Sequence, residues 1–260
     1  MSRFKTLRGS RSNCDMLSID RISHPCFPQP SKIDMGLWRF MSLEKLLWIL
    51  SHKSLFLPRL DTLNDPHEGA TSLGAVLFRI KKHQGFKRIL LDLLPKTNKA
   101  KRGLLFVNCW YFNDDESEAM WRLYCGAKTG VAIRSTYHRV INSLTDAMDV
   151  YMGLVTYIDY GKESFPDDDI FYKVMHKRNA FIHEREVRIV KQLSMTDDLN
   201  ATSHKGLDID FDLEKIIDNI YVNPYASQWY FYAVKEVVAK YSEKLGESVK
   251  WSNMRTGPLF

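Results

Sequence analysis

Residues 104–136, "LLFVNCWYFNDDESEAMWRLYCGAKTGVAIRST", decide the class of fold. Leu104–Phe112 is dense in Val, Phe, Trp and Tyr, side chains that suit a pleated, half-buried surface, and so predicts a strand. Asp114, Asp115, Glu116 and Glu118 then lead into an Ala-Met-Trp-Arg-Leu run. Negative charge in a first turn complements the helix macrodipole, so this segment predicts a helix. "TGVAIRST" (129–136) returns to a strand pattern, and "YHRVINSLTDAM" (137–148) to a helical one.

The same mixture extends outward in both directions. Upstream, Leu37–Met41 reads as a strand, Ser42 as an N-cap, and Leu43, Leu46, Leu47 and Leu50 recur at helical spacing. "KSLFLPRL" follows as a second strand, with Pro58 pointing to an edge or bulge, and "NDPHEG" (64–69) as a turn. Residues 72–94 predict one or two helices, and 95–103 a basic loop. Downstream come the strand pattern "YMGLVTYIDY", the acidic turn "PDDD", a helix ending near "HKRNAF", and a strand over Glu184–Val190. Two more strand signals lie in "GLDIDFDLEKII" and "IDNIYVNP". An amphipathic helix over 226–245 and a short strand in "GESVKWSNM" complete the chain. Strands and helices intermingle without a regular βαβ alternation. This predicts an α+β single domain over residues 35–260, with a mixed, largely antiparallel sheet and flanking helices. Residues 1–34, basic and rich in Ser and Pro, read as a poorly ordered or loosely docked arm.

Composition narrows the function classes. The chain has 260 residues, a net charge of +6 and 45% hydrophobic residues. That balance is compatible with a nucleic-acid partner without requiring one, because no Lys/Arg run exceeds two residues. The cysteines show no C-x-x-C pairing, which reads as reduced thiols in a cytoplasmic protein. No apolar stretch approaches a membrane span, so no membrane partner is expected. Glycine-rich phosphate loops are absent, which argues against Rossmann and P-loop nucleotide sites. No His/Cys cluster has metal-site spacing, so no metal ligands are assigned on that ground.

The strand over Glu184–Val190 poses the functional question. Strand alternation would put Glu184, Glu186 and Arg188 on one face, which is either solvated or lines a site. Asn64, Asp65, Glu68, Glu116 and Arg178 are further polar residues set among aromatic and apolar ones. Buried charges need partners, so these side chains are expected to meet in one polar cluster.

Several of these segments carry a resemblance. W-R-F at 38–40, N-D-P-H-E-G at 64–69, C-W-Y-F-N-D-D-E-S-E-A-M-W-R-L-Y at 109–124 and H-K-R-N-A-F-I-H-E-R-E-V-R at 176–188 resemble a bacterial domain-of-unknown-function family. The order of Arg39, Ser135-Thr136 and Glu184-x-Glu186 is also similar to the arginine–serine–glutamate group of ADP-ribosyltransferases. That second resemblance implies an ADP-ribosyltransferase-like fold and an NAD-consuming enzyme, a bacterial defence or toxin effector, with a nucleotide-like small molecule as partner. It implies that Arg39, Ser135 and Thr136 bind NAD, with Tyr111, Trp110 or Tyr124 as a wall for the nicotinamide. Glu186 would stabilise the ribosyl cation and Glu184 would take a proton from the acceptor. The chain departs from that group at Tyr137, where a second serine is usual, and in having N-D-P-x-E-G. The transferase reading requires Arg39 on the same side of the sheet as Glu186. Two alternatives stand beside it: a metal-dependent nuclease using Glu184, Glu186, Asp65 and Asp159 for Mg²⁺, and a non-catalytic module that binds a nucleotide or partner.

Overall fold

A computed structural model describes residues 24–82, 100–144, 150–166, 169–193 and 205–257, with isolated positions 89, 93 and 96. The strands are β1 Gly36–Met41, β2 Ser54–Pro58, β3 Leu105–Phe112, β4 Val131–Thr136, β5 Val150–Leu154, β6 Thr156–Ile158, β7 His176–Arg178, β8 Glu186–Gln192, β9 Gly206–Asp210, β10 Asn219–Val222 and β11 Val249–Trp251. The helices are α1 Leu43–His52, α2 Leu73–Lys82, α3 Glu118–Tyr124, α4 Tyr137–Ser143, α5 Ile170–Val174, α6 Leu213–Ile216, α7 Gln228–Tyr241 and α8 Glu243–Glu247.

Seven strands form one sheet in the order β11-β10-β4-β1-β3-β8-β5. Every neighbouring pair is antiparallel except β10–β11, so the fold is α+β with a mixed, largely antiparallel sheet. On one face Leu37, Met41, Trp110, Ile133, Val187 and Ile189 pack with Leu46 and Leu50 of α1, Val140 of α4 and Val234 of α7. On the other face Trp38, Phe40, Tyr111 and Ala132 pack against Met120 and Trp121 of α3. Further along that second face, Leu105, Val107 and Val190 meet Phe171, Val174, Met175 and Phe27.

One break in the sheet matters most. β1 is in register with β4 from Gly36↔Thr136 to Met41↔Val131, but with β3 only at Leu37↔Phe112 and Trp38↔Tyr111. Beyond Trp38 the central pair β1–β3 therefore comes apart. β3 stays paired to β8 from Leu105↔Gln192 to Tyr111↔Glu186.

Several local expectations change. "HKRNAF" does not close a helix: His176–Arg178 is a strand parallel to β6, and Asn179–Glu184 is a 3-10 turn. The strand after it begins at Glu186, with Arg185 left-handed at φ 39. Long-range pairing with β3, β5 and β6 overrides local propensity there. Residues 100–102, within the expected basic loop, are helical.

The N-terminal boundary also moves. Cys26 and Phe27 are buried, and Phe27 stacks on Tyr151 with centroids 5.1 Å apart. The Leu154 amide donates to the Pro28 carbonyl at 2.8 Å, and the Tyr137 hydroxyl donates to Gln29 Oε1 at 2.6 Å. At Gly153 an added Cβ would sit 2.8 Å from Phe27 Cβ, so only glycine permits this approach. Residues 26–29 thus belong to the domain, because apolar surface and paired backbone groups hold them; residues 1–23 lie outside the described ones.

Candidate functional site: a buried charge network under an aromatic cleft

Arg188 sits in mid-β8 with no exposed surface, between Cys109 of β3 and Gly153 of β5. A guanidinium placed there needs acceptors in its fork geometry. Glu68 supplies two, at 2.8 Å each, while Glu186 Oε2 lies 2.7 Å from Nε and the Val174 carbonyl 2.6 Å from Nη1. Glu68 arrives from the "NDPHEG" turn. Asp65 shapes it by accepting the His67 and Glu68 amides at 3.0 Å, and Gly69 allows its exit at φ +70. Asp65 also pairs with Arg178 at 2.8 Å.

Lys177, the middle residue of β7, is the second buried cation. Its ammonium donates to Glu184, to Glu186 Oε1 at 2.6 Å, and lies 3.3 Å from Glu68 Oε1. Sequence reasoning missed it because "HKR" was placed at a helix end. Glu184 accepts the Tyr124 hydroxyl at 3.1 Å, and the Glu186 amide donates to the Tyr157 hydroxyl at 2.8 Å. So Glu184, Glu186 and Arg188 do share one environment, although Glu184 reaches it from the 3-10 turn. The solvated-face alternative fails, since all three are buried.

The two carboxyls differ in charge state. Burial, then the adjacent Glu186, push Glu184 up to about 7. Burial acts on Glu186 in the same sense, but Arg188, the Glu184 hydrogen bond and Lys177 outweigh it and hold Glu186 well below the usual carboxylate range. One buried pair therefore combines a proton carrier with a fixed anion, the separation of roles on which acid–base sites depend. Burial also lifts the neighbouring Cys109 thiol to about 12, so it stays protonated.

Above this pair lies a small cleft of about 70 Å³, open in part to solvent, where β1 and β3 diverge. Trp38, Phe40, Tyr111, Met120 and Tyr124 form its walls, and Glu184 and Glu186 line it too. That is well below the few hundred Å³ of a typical ligand pocket, so the cleft admits part of a small group and not a whole dinucleotide.

Arg39 also lines the cleft, but not as the transferase resemblance implies. Its β1 register partner is Ile133, in the core cluster that also holds Leu37, Trp110 and Val187. Alternation therefore turns Arg39 to the face opposite Tyr111 and Glu186. Its guanidinium donates to the Asn108 side chain and, at 3.2 Å, to the Cys109 carbonyl, filling the gap between the parted strands. Ser135 and Thr136 do not reach the cleft either. Ser135 is wholly buried, its hydroxyl 3.5 Å from the Thr136 carbonyl, and Thr136 caps α4 by accepting the Arg139 amide. Of the expected cofactor-binding residues, Tyr111 and Arg39 line the cleft, and Ser135 and Thr136 do not.

The supporting cluster divides as well. Glu68 and Arg188 join the network, and Asp65–Arg178 forms a separate pair. Asn64 is exposed. Glu116 lies elsewhere, accepting from Trp121 Nε1 at 2.9 Å and from the Asn253 amide at 2.8 Å, so it ties α3 to the C-terminal turn. The oxygen set for Mg²⁺ does not assemble: Lys177 and Arg188 already occupy Glu184, Glu186 and Glu68, while Asp65 holds Arg178. Asp159 instead accepts the Gly161 amide at 2.9 Å in its own turn. Among the described residues, His24, Cys26 and Asp169 bring possible ligand atoms within 4.8 Å of one another. His24 Nδ1 accepts the Cys26 amide at 3.2 Å, which leaves the ring proton on Nε2, facing Asp169 at 3.8 Å. Only the Nδ1 side of the ring is hydrogen-bonded, since 3.8 Å exceeds hydrogen-bonding distance.

Comparison with known proteins adds no relative: no family model matches the chain, and no curated protein or solved structure does. Among the described residues, no helix is long and apolar enough to cross a membrane.

Proposed function

We propose that the cleft is an enzyme active site in which Glu184 and Glu186 break an N-glycosidic bond of a nucleotide-like small molecule, with NAD⁺ as the first candidate. The observation that supports this reading is the pairing, at the base of a small aromatic-walled cleft, of a carboxyl raised toward neutrality with one held well below the usual carboxylate range. Breaking the bond between the ribose and nicotinamide sends the bonding electrons to the pyridinium nitrogen and leaves positive charge on the sugar. Glu186, an anion lining the cleft, would offset that charge. Water then bonds to the ribosyl carbon, and Glu184 in its ionised form takes the proton. The reaction is hydrolysis, an NAD⁺ consumption suited to a defence or toxin effector; Arg39, turned to the face opposite Glu186, does not support the transferase reading. Because Ser135 and Thr136 are committed elsewhere and the cleft is small, the adenylate half of NAD⁺ would lie outside it.

The test is nicotinamide release from NAD⁺ by the purified protein. Glu186→Gln should lower kcat by about 10²–10³ while leaving the fold intact, since it removes the charge and keeps the shape. Wild-type protein that neither binds NAD⁺ nor releases nicotinamide would leave the non-catalytic binding module in its place.

A further inference from the structure

We propose that the group seated against Glu184 is an organic monocation, planar and delocalised, and that it enters in exchange for a proton held by the buried network. The inference rests on the reading of this cleft as the substrate site and adds the charge class of what binds there.

It begins with a count. Three carboxyls, Glu68, Glu184 and Glu186, meet two cations, Lys177 and Arg188. Arg188 uses Nε and both terminal nitrogens on Glu68, Glu186 and the Val174 carbonyl. Lys177 donates to Glu184 and Glu186 and lies 3.3 Å from Glu68 Oε1. With every carboxyl ionised the cluster would hold one uncompensated negative charge away from water, an arrangement that buried sites avoid.

Among the described residues no third cation pairs with these carboxyls, so the missing positive charge falls to a proton or to a cation arriving through the cleft. Glu184 is where the exchange must occur. Glu68 is turned inward to Arg188, and Glu186 touches both cations, whereas Glu184 has Lys177 from β7, Glu186 from β8 and the neutral Tyr124 hydroxyl from α3. The other nearby cations are committed: Arg178 to Asp65, and Arg39 to Asn108 and the Cys109 carbonyl on the opposite side of β1. Burial raises the Glu184 carboxyl to about 7, which places the exchange in the neutral range.

The walls select the same kind of ligand. Trp38, Phe40, Tyr111 and Tyr124 offer aromatic surface around the carboxyls, and aromatic faces attract cations most strongly where water is excluded. The exchange balances: the cation binds, the Glu184 carboxyl becomes a carboxylate, and one proton passes to solvent.

Isothermal calorimetry tests this with two probes, nicotinamide methylated on its ring nitrogen, a pyridinium cation, and neutral nicotinamide. Titrations in two buffers of different ionisation enthalpy, at pH 6 and pH 8.5, read proton release. The cation should bind at least about tenfold more tightly than its neutral counterpart. It should release close to one proton at pH 6 and almost none at pH 8.5, its affinity rising about tenfold per pH unit below 7. Glu184→Gln should bind it more weakly and release no proton; if that variant does not fold, proton release by wild type decides alone. Equal affinity for both probes, no binding of the cation, or binding at pH 6 without proton release would overturn the proposal. Cation binding with proton release but no NAD⁺ turnover would instead sink the N-glycosidic reading and leave this one intact.

Discussion

Arg188 has no exposed surface, and its neighbours depend on it. Replacing it with Met would leave Glu68 and Glu186 buried with only Lys177 between them, at a cost of about 3–5 kcal/mol in urea unfolding. Glu184 should be read through pH. Its folded-state pKa is raised, so the folded protein holds a proton that the unfolded chain has lost. That contribution is complete below the unfolded value near 4.5 and disappears as pH climbs through about 7. Glu184→Gln should therefore flatten the fall in stability across this window, by about 1–2 kcal/mol with allowance for screening by solvent in the cleft. Thermal melts of both proteins between pH 4.5 and 8 would check it, and parallel curves would contradict it. Much of this network was legible in residue type: Glu68, Glu186 and Arg188 stood out as charges among aromatic residues. Lys177 was not, because a Lys between His and Arg looks like a solvated helix end until pairing with β6 turns it inward.

At the scale of elements, most strands and helices follow from alternation and helical spacing, and the exceptions have identifiable causes. β7 is only three residues long and is held by β6, a partner that local pattern does not reveal. Arg39 shows a subtler limit. Its position on a strand was clear, but which face it took depended on register with β4 and on where β1 leaves β3. The N-terminal segment was misjudged for a similar reason. "SHPCFPQ" (23–29) has no periodicity, yet Phe27 fills a space between Tyr151 and Phe171 that only the folded sheet creates. Phe27→Ala should accordingly cost about 3–5 kcal/mol, a drop of roughly 6–15 °C in Tm for a chain of this size. A shift under about 2 °C would return this segment to the status of a loose arm.

For the molecule as a whole, composition and pattern led to the α+β class and the antiparallel bias, but not to the strand order. That order, β11-β10-β4-β1-β3-β8-β5, puts β3 and β8 beside each other and lets β1 part from β3 above their charged face. The cleft is thus a product of topology, assembled from α3, the turn before β8 and the split in the sheet, with Glu68 and Lys177 bracing it from below. This arrangement keeps one carboxyl partly protonated at neutral pH beside another held well below the usual carboxylate range. Carbon-detected NMR of glutamate side-chain carboxyls, titrated from pH 3 to pH 9 in wild type and Glu184→Gln, tests it most directly. The account predicts one buried carboxyl titrating near 7 that vanishes in the variant, and another that remains ionised down to pH 3. If every glutamate is ionised by pH 5.5, the network holds no exchangeable proton and the claim is wrong.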